Sequence, residues 1–151
     1  MKRNRRNAKL TFQSYNELYQ RLDNVPFDTC WYCGDPRTCL DHSPPLAMLD
    51  FMDLDLFRKL GREFCLIPCC DSCHSLLGIK ELVTPNERLS WLLGAYHKLF
   101  DKAFYGWTEE EVAEMGYNFR VMINSSKARA STYAEKVRYI EKKIVSLHEW
   151  K

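Results

Sequence analysis

Two Cys-x-x-Cys pairs, Cys30/Cys33 and Cys70/Cys73, stand 40 positions apart in a chain of 151 residues. Each pair spells a short knuckle, a turn that lets two sulfurs from one segment reach one ion. Two knuckles complete a tetrahedral set of four thiolates. A chain that closes such a site must bring residue 30 to residue 70, which fixes a long-range contact before any secondary structure is read. Structural Zn²⁺ is therefore expected on Cys30, Cys33, Cys70 and Cys73. Cys69 adjoins Cys70 and offers a second register, but only Cys70 has the x-x spacing to Cys73. In a reducing compartment such spacing points to metal rather than disulfides. Of the seven cysteines, Cys39 and Cys65 are left over. Cys65, Ile67 and Cys69 share one face of an expected strand, where free thiols behave as small buried hydrophobes.

Apolar residues make up 46% and charged residues 28%, as expected of one globular domain or a domain with an extension. No apolar run approaches the ~18 residues that span a membrane. The first residues, MKRNRRNAKL, are basic with no apolar stretch behind them, so they do not read as a secretory signal. A cytoplasmic chain without membrane association is expected. The net charge of +2 hides an uneven pattern. Residues 1–40 carry seven Lys/Arg against four Asp/Glu, residues 41–71 three against six, and residues 117–151 eight against three. Lys2, Arg3, Arg5, Arg6 and Lys9 form a basic arm. Such an arm gains affinity for a polyphosphate by releasing its condensed counterions; a solvated terminus is the plainer alternative.

Apolar periodicity predicts a short amphipathic helix over 10–22, ended by Val25-Pro26-Phe27. Residues 28–42 read as a tight hairpin, with Cys30 to Cys33 before a Gly34-Asp35-Pro36 turn and Thr38 to His42 extended after it. Residues 46–62 form an apolar insertion, helical or irregular, closed by Gly61. Its expected role is to pack on the C-terminal helices or to gate a site. Phe64 to Pro68 reads as extended, and Cys70 to Leu77 as a helix ending at Gly78. Thr84, Pro85 and Glu87 spell a helix start, and Thr108 with Glu111 repeats the signature before a short helix ending near Gly116. From Val121 one long helix or two are expected, with a break at Asn124-Ser125-Ser126. Val137, Ile140, Ile144, Val145 and Leu147 form its apolar stripe, read as core or dimer packing.

Asp41-His42 follows Cys33 by eight residues, and His74 follows Cys73 directly. If both knuckles meet on one ion, these three side chains are drawn toward one point. Asp41 and His74 are then candidates for a divalent cation, and His42 for the base that deprotonates water.

Taken together, Cys30-x-x-Cys33-Gly34, Asp41-His42-Ser43-Pro44-Pro45 and Leu66-Ile67-Pro68-Cys69-Cys70-x-x-Cys73-His74 resemble the zinc-containing HNH endonucleases of the ββα-metal, or His-Me finger, superfamily. The resemblance covers residues 28–80. It implies an α+β fold: a small zinc-stabilised ββα-metal core of a β-hairpin followed by a helix, flanked by an N-terminal helix and a C-terminal helical region. The expected segments are 1–27 (arm and short helix), 28–80 (zinc domain, insertion 46–62) and 84–151 (helices). The resemblance further implies that His42 activates the attacking water. Asp41 and His74 would hold one Mg²⁺, Mn²⁺ or Ni²⁺ at the scissile phosphate of DNA. The central Asn of the family pattern falls on Cys65, and its late Lys on Leu77, with Lys80 one turn on. Lys80 and the basic arm are the expected nucleic-acid contacts, and the C-terminal helices, with the tail from Tyr117 to Lys151, are the candidate surface for a homodimer or for DNA.

Overall fold

A computed structural model describes residues 15–104 and 106–149. The protein is mixed α+β and divides into two compact units, Met1–Leu92 and Leu93–Lys151. No helix among the described residues is long and apolar enough to cross a membrane.

The first unit is built on a three-stranded sheet of β1 (Gln20–Arg21), β2 (Cys39–Ser43) and β3 (Cys65–Cys69), in the order β1-β3-β2. β2 runs antiparallel to β3, with Asp41 opposite Ile67 and His42 opposite Leu66. β1 pairs parallel with the far edge of β3 and covers only Cys65 and Leu66. Beyond it, at Pro68, that edge is taken by the first knuckle, where the Trp31 N–H donates to the Pro68 carbonyl at 2.9 Å. β3 leads through Cys70 into α2 (Asp71–Leu77), so strand, strand and helix follow in order around the cysteines. The helix stops at Gly78, whose φ of 49° lies in the left-handed region that favours glycine.

The insertion between β2 and β3 holds a 3-10 turn, Leu46–Met48, and helix α1 (Leu54–Lys59). Asp53 caps α1 by accepting from the Leu56 N–H at 3.1 Å. The insertion packs inward: Leu49 and Phe57 join Tyr15, Tyr19 and Phe64 in one buried cluster. Phe64 meets Phe57 at 4.8 Å and Tyr19 edge-on at 5.5 Å between ring centroids. The insertion therefore completes the core of the first unit.

The periodicity over 10–22 does not carry a helix to its end. Residues 10–14 lie outside the described residues. Asn16 is the last helical position, and the chain turns into β1. The free edge of β3 explains the switch: the Gln20 N–H donates to Phe64 O at 3.0 Å and the Leu22 N–H to Leu66 O at 3.1 Å. Tertiary pairing overrides local helix preference here. The hairpin expected over 28–42 is likewise reduced to a single bridge between Thr29 and Pro36, because β2 pairs with β3 instead.

Helix α3 (Pro85–Ala103) starts in the first unit and runs into the second. Thr84 accepts from the Glu87 N–H at 3.2 Å, while the Glu87 carboxylate accepts from the Val83 N–H at 3.0 Å. In the second unit α4 (Glu109–Ala113) opens with a full capping box between Thr108 and Glu111. Helix α5 runs unbroken over Tyr117–Glu149. Asn124-Ser125-Ser126 causes no break, because Ser126 is buried and its hydroxyl accepts from Arg129 at 3.1 Å. Ile123, Ala130, Val137 and Ile140 line the buried face, whereas Val145, expected in that stripe, is exposed.

Phe57→Ala should destabilise the first unit by about 3–5 kcal/mol, the usual cost of a truncated core aromatic. Urea unfolding followed by circular dichroism measures it, with the loss appearing as a lower midpoint.

Candidate active site and metal centre

Local backbone rules build each knuckle. Gly34 adopts φ 84°, which permits the tight return after Cys33. The Cys30 N–H donates to Asp35 O at 2.6 Å, and the Gly34 N–H to Cys30 O at 2.9 Å. The second knuckle uses the passage from β3 to α2: Cys70 is the extended N-cap residue and Cys73 lies on the first turn. The four sulfurs lie within 4.8 Å of one another, with Cys33 Sγ and Cys70 Sγ 3.6 Å apart. A tetrahedron with Zn–S of about 2.3 Å has edges of about 3.8 Å, so the spacing suits a zinc-sized ion. All four cysteines are buried and none forms a disulfide.

Contacts among the four sulfurs shift their thiols in opposite directions. Hydrogen bonds, from Cys30 foremost and then from Cys33 and Cys73, hold the Cys70 thiol far below its usual range. The Cys73 thiol is pushed far up, by its contact with Cys30 first and then by Cys33, Cys70 and burial. Four thiolates this close repel one another and need a cation to balance them. The cluster could hold a metal such as zinc, and the Cys70 register is the one that closes it. Cys69 lies outside it, donating to the Cys70 carbonyl at 3.3 Å.

Among the described residues these cysteines are the one group of three or more His, Cys, Asp or Glu gathered closely enough to hold an ion. Asp41, His42 and His74 do not form another. Asp41 is only 3% exposed on β2. Arg88 grips it with two bonds, Nη2 to Oδ1 and Nε to Oδ2, both 2.7 Å. The Tyr32 hydroxyl donates to Oδ2 at 2.6 Å. Arg88 is itself fully buried, and its Nη1 donates to the Leu82 carbonyl at 3.1 Å. Burial, reinforced by the Asp41 charge, holds the Tyr32 phenol well above its ordinary pKa, so it remains a donor. Asp41 was expected to offer a hard oxygen to a divalent cation. Here both oxygens are bonded and its charge is already balanced, so Asp41 does not fit that role in this arrangement.

His42 sits on the opposite face of β2, as alternation along a strand requires. It is half-buried, with Nε2 2.9 Å from Asn16 Oδ1 and its ring edge-on to Tyr19 at 4.8 Å. The Tyr19 hydroxyl donates to the Pro44 carbonyl. Burial lowers the pKa of His42; Asp41 opposes the shift, while His74 and Arg88 add to it. His74 is exposed on α2, one residue after Cys73. Lys80 is exposed beyond α2, with Nζ 4.6 Å from the Trp91 ring centroid. Cys65 is buried on β3 opposite Ser43. Lys2, Arg3, Arg5, Arg6 and Lys9 lie outside the described residues.

Three residues of this site went unread in the sequence. Arg88 carried a signal: it lies at i−4 from Leu92 and i−8 from Tyr96, on the apolar stripe of α3, where a charge needs a buried partner. Tyr32 was legible only as part of a knuckle. Asn16 reaches His42 from a segment read as a helix face, and nothing local marks it.

Arg88→Met alone should cost about 3–5 kcal/mol, because it leaves the Asp41 carboxylate buried and unpaired. The triple variant Tyr32→Phe/Asp41→Leu/Arg88→Met should recover much of that loss, because it also removes the buried Tyr32 hydroxyl that Asp41 accepts from. Comparing the urea midpoints of the two variants checks it.

No protein-family model, curated protein or solved structure matches the chain. The site is characterised by its own geometry: four gathered cysteines, a carboxylate neutralised by arginine, and a half-exposed neutral histidine on the same strand.

Proposed function

We propose that the first unit is a zinc-stabilised endonuclease module of the HNH kind, in which His42 is the general base acting on a nucleic-acid phosphodiester. The observation that carries this reading is the setting of His42. It is half-exposed, kept neutral at physiological pH by burial, and braced by Asn16 and Tyr19. A histidine of normal pKa near ~6.5 is already usable as a base, and a lowered one stays neutral further into acid. With Nε2–H donated to Asn16 Oδ1, the lone pair rests on Nδ1, ready to take the proton of an attacking water. The motifs around it, Asp41-His42 and Cys70-x-x-Cys73-His74, are those of the resemblance.

In this reading the four cysteines hold structural zinc and anchor the end of β3 against α2. Asp41 becomes a positioning residue: through Arg88 and Tyr32 it fixes the strand that presents His42. The divalent cation implied by the resemblance has His74 as its remaining candidate protein ligand, since Asp41 is occupied. When bound, such a cation would lend positive charge to the phosphate. Asn16 does for His42 what the Asn replaced by Cys65 does in the family, orienting the ring from another segment.

A second reading is a zinc module that binds nucleic acid without cleaving it. The Arg88–Asp41 pair favours it, because a buried guanidinium supplies to the carboxylate the charge that a catalytic cation would bring.

Nicking of supercoiled plasmid in Mg²⁺, Mn²⁺ or Ni²⁺ separates the two. Wild type should nick, and His42→Ala should lose about 10²–10⁴-fold in rate with nucleic-acid binding intact. Because the pKa of His42 is lowered, the wild-type rate should hold below pH 6.5 and fall only as the imidazole protonates at more acid pH. Equal rates for wild type and His42→Ala, or no nicking with any of the three cations, would leave the binding module.

Elemental analysis of the purified chain should find one zinc. Cys33→Ser should abolish zinc and unfold the first unit, since structural zinc contributes about 10–16 kcal/mol in small sites. Soluble, folded protein without zinc would contradict the metal assignment.

A further inference from the structure

The second unit has a charged face that the site on β2 does not use. On α5, Ile123, Ala130, Val137 and Ile140 mark the buried side. Arg120, Lys127, Arg138 and Lys142 are all exposed. At 3.6 residues per turn these four fall within about 60° of one another around the helix, and they span about 33 Å along it. Among the described residues no ion pair holds any of them. Of the three acids on this helix, Glu141 faces His97 at 3.5 Å, Glu135 borders the stripe, and Glu149 falls at the stripe's angle two turns beyond Lys142, at the helix end.

Beside Lys127 and Ser131 lies a cavity of about 410 Å³ walled by Phe100, Phe104 and Trp107. That volume is within the range of small-ligand sites, about 300–1,000 Å³. Phe104 is 62% exposed and stacks on Phe100, with ring planes 17° apart and centroids at 5.6 Å. Trp107 is 38% exposed and meets Phe119 edge-on at 6.5 Å. Large aromatic surface left in water beside a lysine suits a flat, apolar ring tethered to an anion.

A single small anion would use one cation of the stripe, whereas four cations over this length match a polyanion. Duplex nucleic acid offers the phosphates but keeps its base faces stacked inside. A single strand offers phosphates and unstacked bases together. We propose that the second unit binds single-stranded nucleic acid, with phosphates along Arg120, Lys127, Arg138 and Lys142 and a base stacked in the cavity beside Phe104 and Trp107. This rests on the nucleic-acid reading of the chain, but not on cleavage.

The test is fluorescence anisotropy of labelled oligo(dT), and of a duplex of equal length, titrated with the full zinc-loaded chain at several salt concentrations without added divalent cation. Oligo(dT) should bind more tightly than duplex. Lys127→Glu/Arg138→Glu/Lys142→Glu should lower the slope of log K against log salt by at least about 2, at about 0.7 per lost phosphate contact on a single strand. Phe104→Ala should weaken oligo(dT) binding by about five- to hundred-fold, the factor for one lost base stack, with duplex binding unchanged. Circular dichroism checks that both variants keep their helix; should Phe104→Ala lose it, the exposed triple variant decides alone. His42→Ala should bind oligo(dT) as wild type does, so failure of the cleavage reading leaves this result standing. Tighter binding to duplex, or variants that keep the wild-type affinity and salt slope, would overturn the proposal and leave the face to a protein partner.

Discussion

A carboxylate taken out of water must be balanced or it destabilises the fold by several kcal/mol. Asp41 is balanced by groups from two other segments: Tyr32 from the first knuckle and Arg88 from the start of α3. This junction joins three pieces that are distant in sequence. It holds β2 against the cysteine cluster and fixes where α3 begins. The loop ahead of α3 follows, since Arg88 also binds the Leu82 carbonyl and the Ser43 hydroxyl donates to the Val83 carbonyl at 3.2 Å. The face of β2 that carries His42 is presented as it is because the other face is locked in this way.

The cluster of sulfurs and the junction at Asp41 are complementary. The first brings residues 30–33 to residues 70–73 and determines which segments meet. The second determines the face on which they meet. Between them the insertion closes the core: Leu49 and Phe57 pack with Tyr15, Tyr19 and Phe64, and Asp50 accepts from the Tyr15 hydroxyl at 2.8 Å.

Features that depend on short-range chemistry were legible in the sequence. The knuckles, the turn at Gly34, the cap at Thr84, the capping box at Thr108 and the stop at Gly78 all follow from a few adjacent residues, and all appear where the spacing put them. Features set by pairing between distant segments were not. Gln20 and Arg21 read as helix by period, but an open strand edge drew them into the sheet. Asp41 read as a metal ligand because its neighbours in sequence suggested a site. Its actual partner lies 47 residues away on a helix whose apolar stripe concealed a charge. His42 is half-buried, and the residue that braces it, Asn16, comes from a segment with no local mark.

The proline in β3 has a consequence for how the protein meets other copies of itself. A strand edge with open carbonyls is a template for pairing with another chain. β1 shields only two residues of β3, and the rest of that edge is shielded at Pro68 by the backbone of Trp31. The first knuckle is therefore also a cover for the sheet. A chain in which the cysteine cluster came apart would lose the rigidity that keeps Trp31 in place, and would bare the edge at a run of apolar residues, Cys65 to Cys69. If the four sulfurs hold an ion, its removal should thus end in aggregation, with chelation and self-association linked through one backbone hydrogen bond.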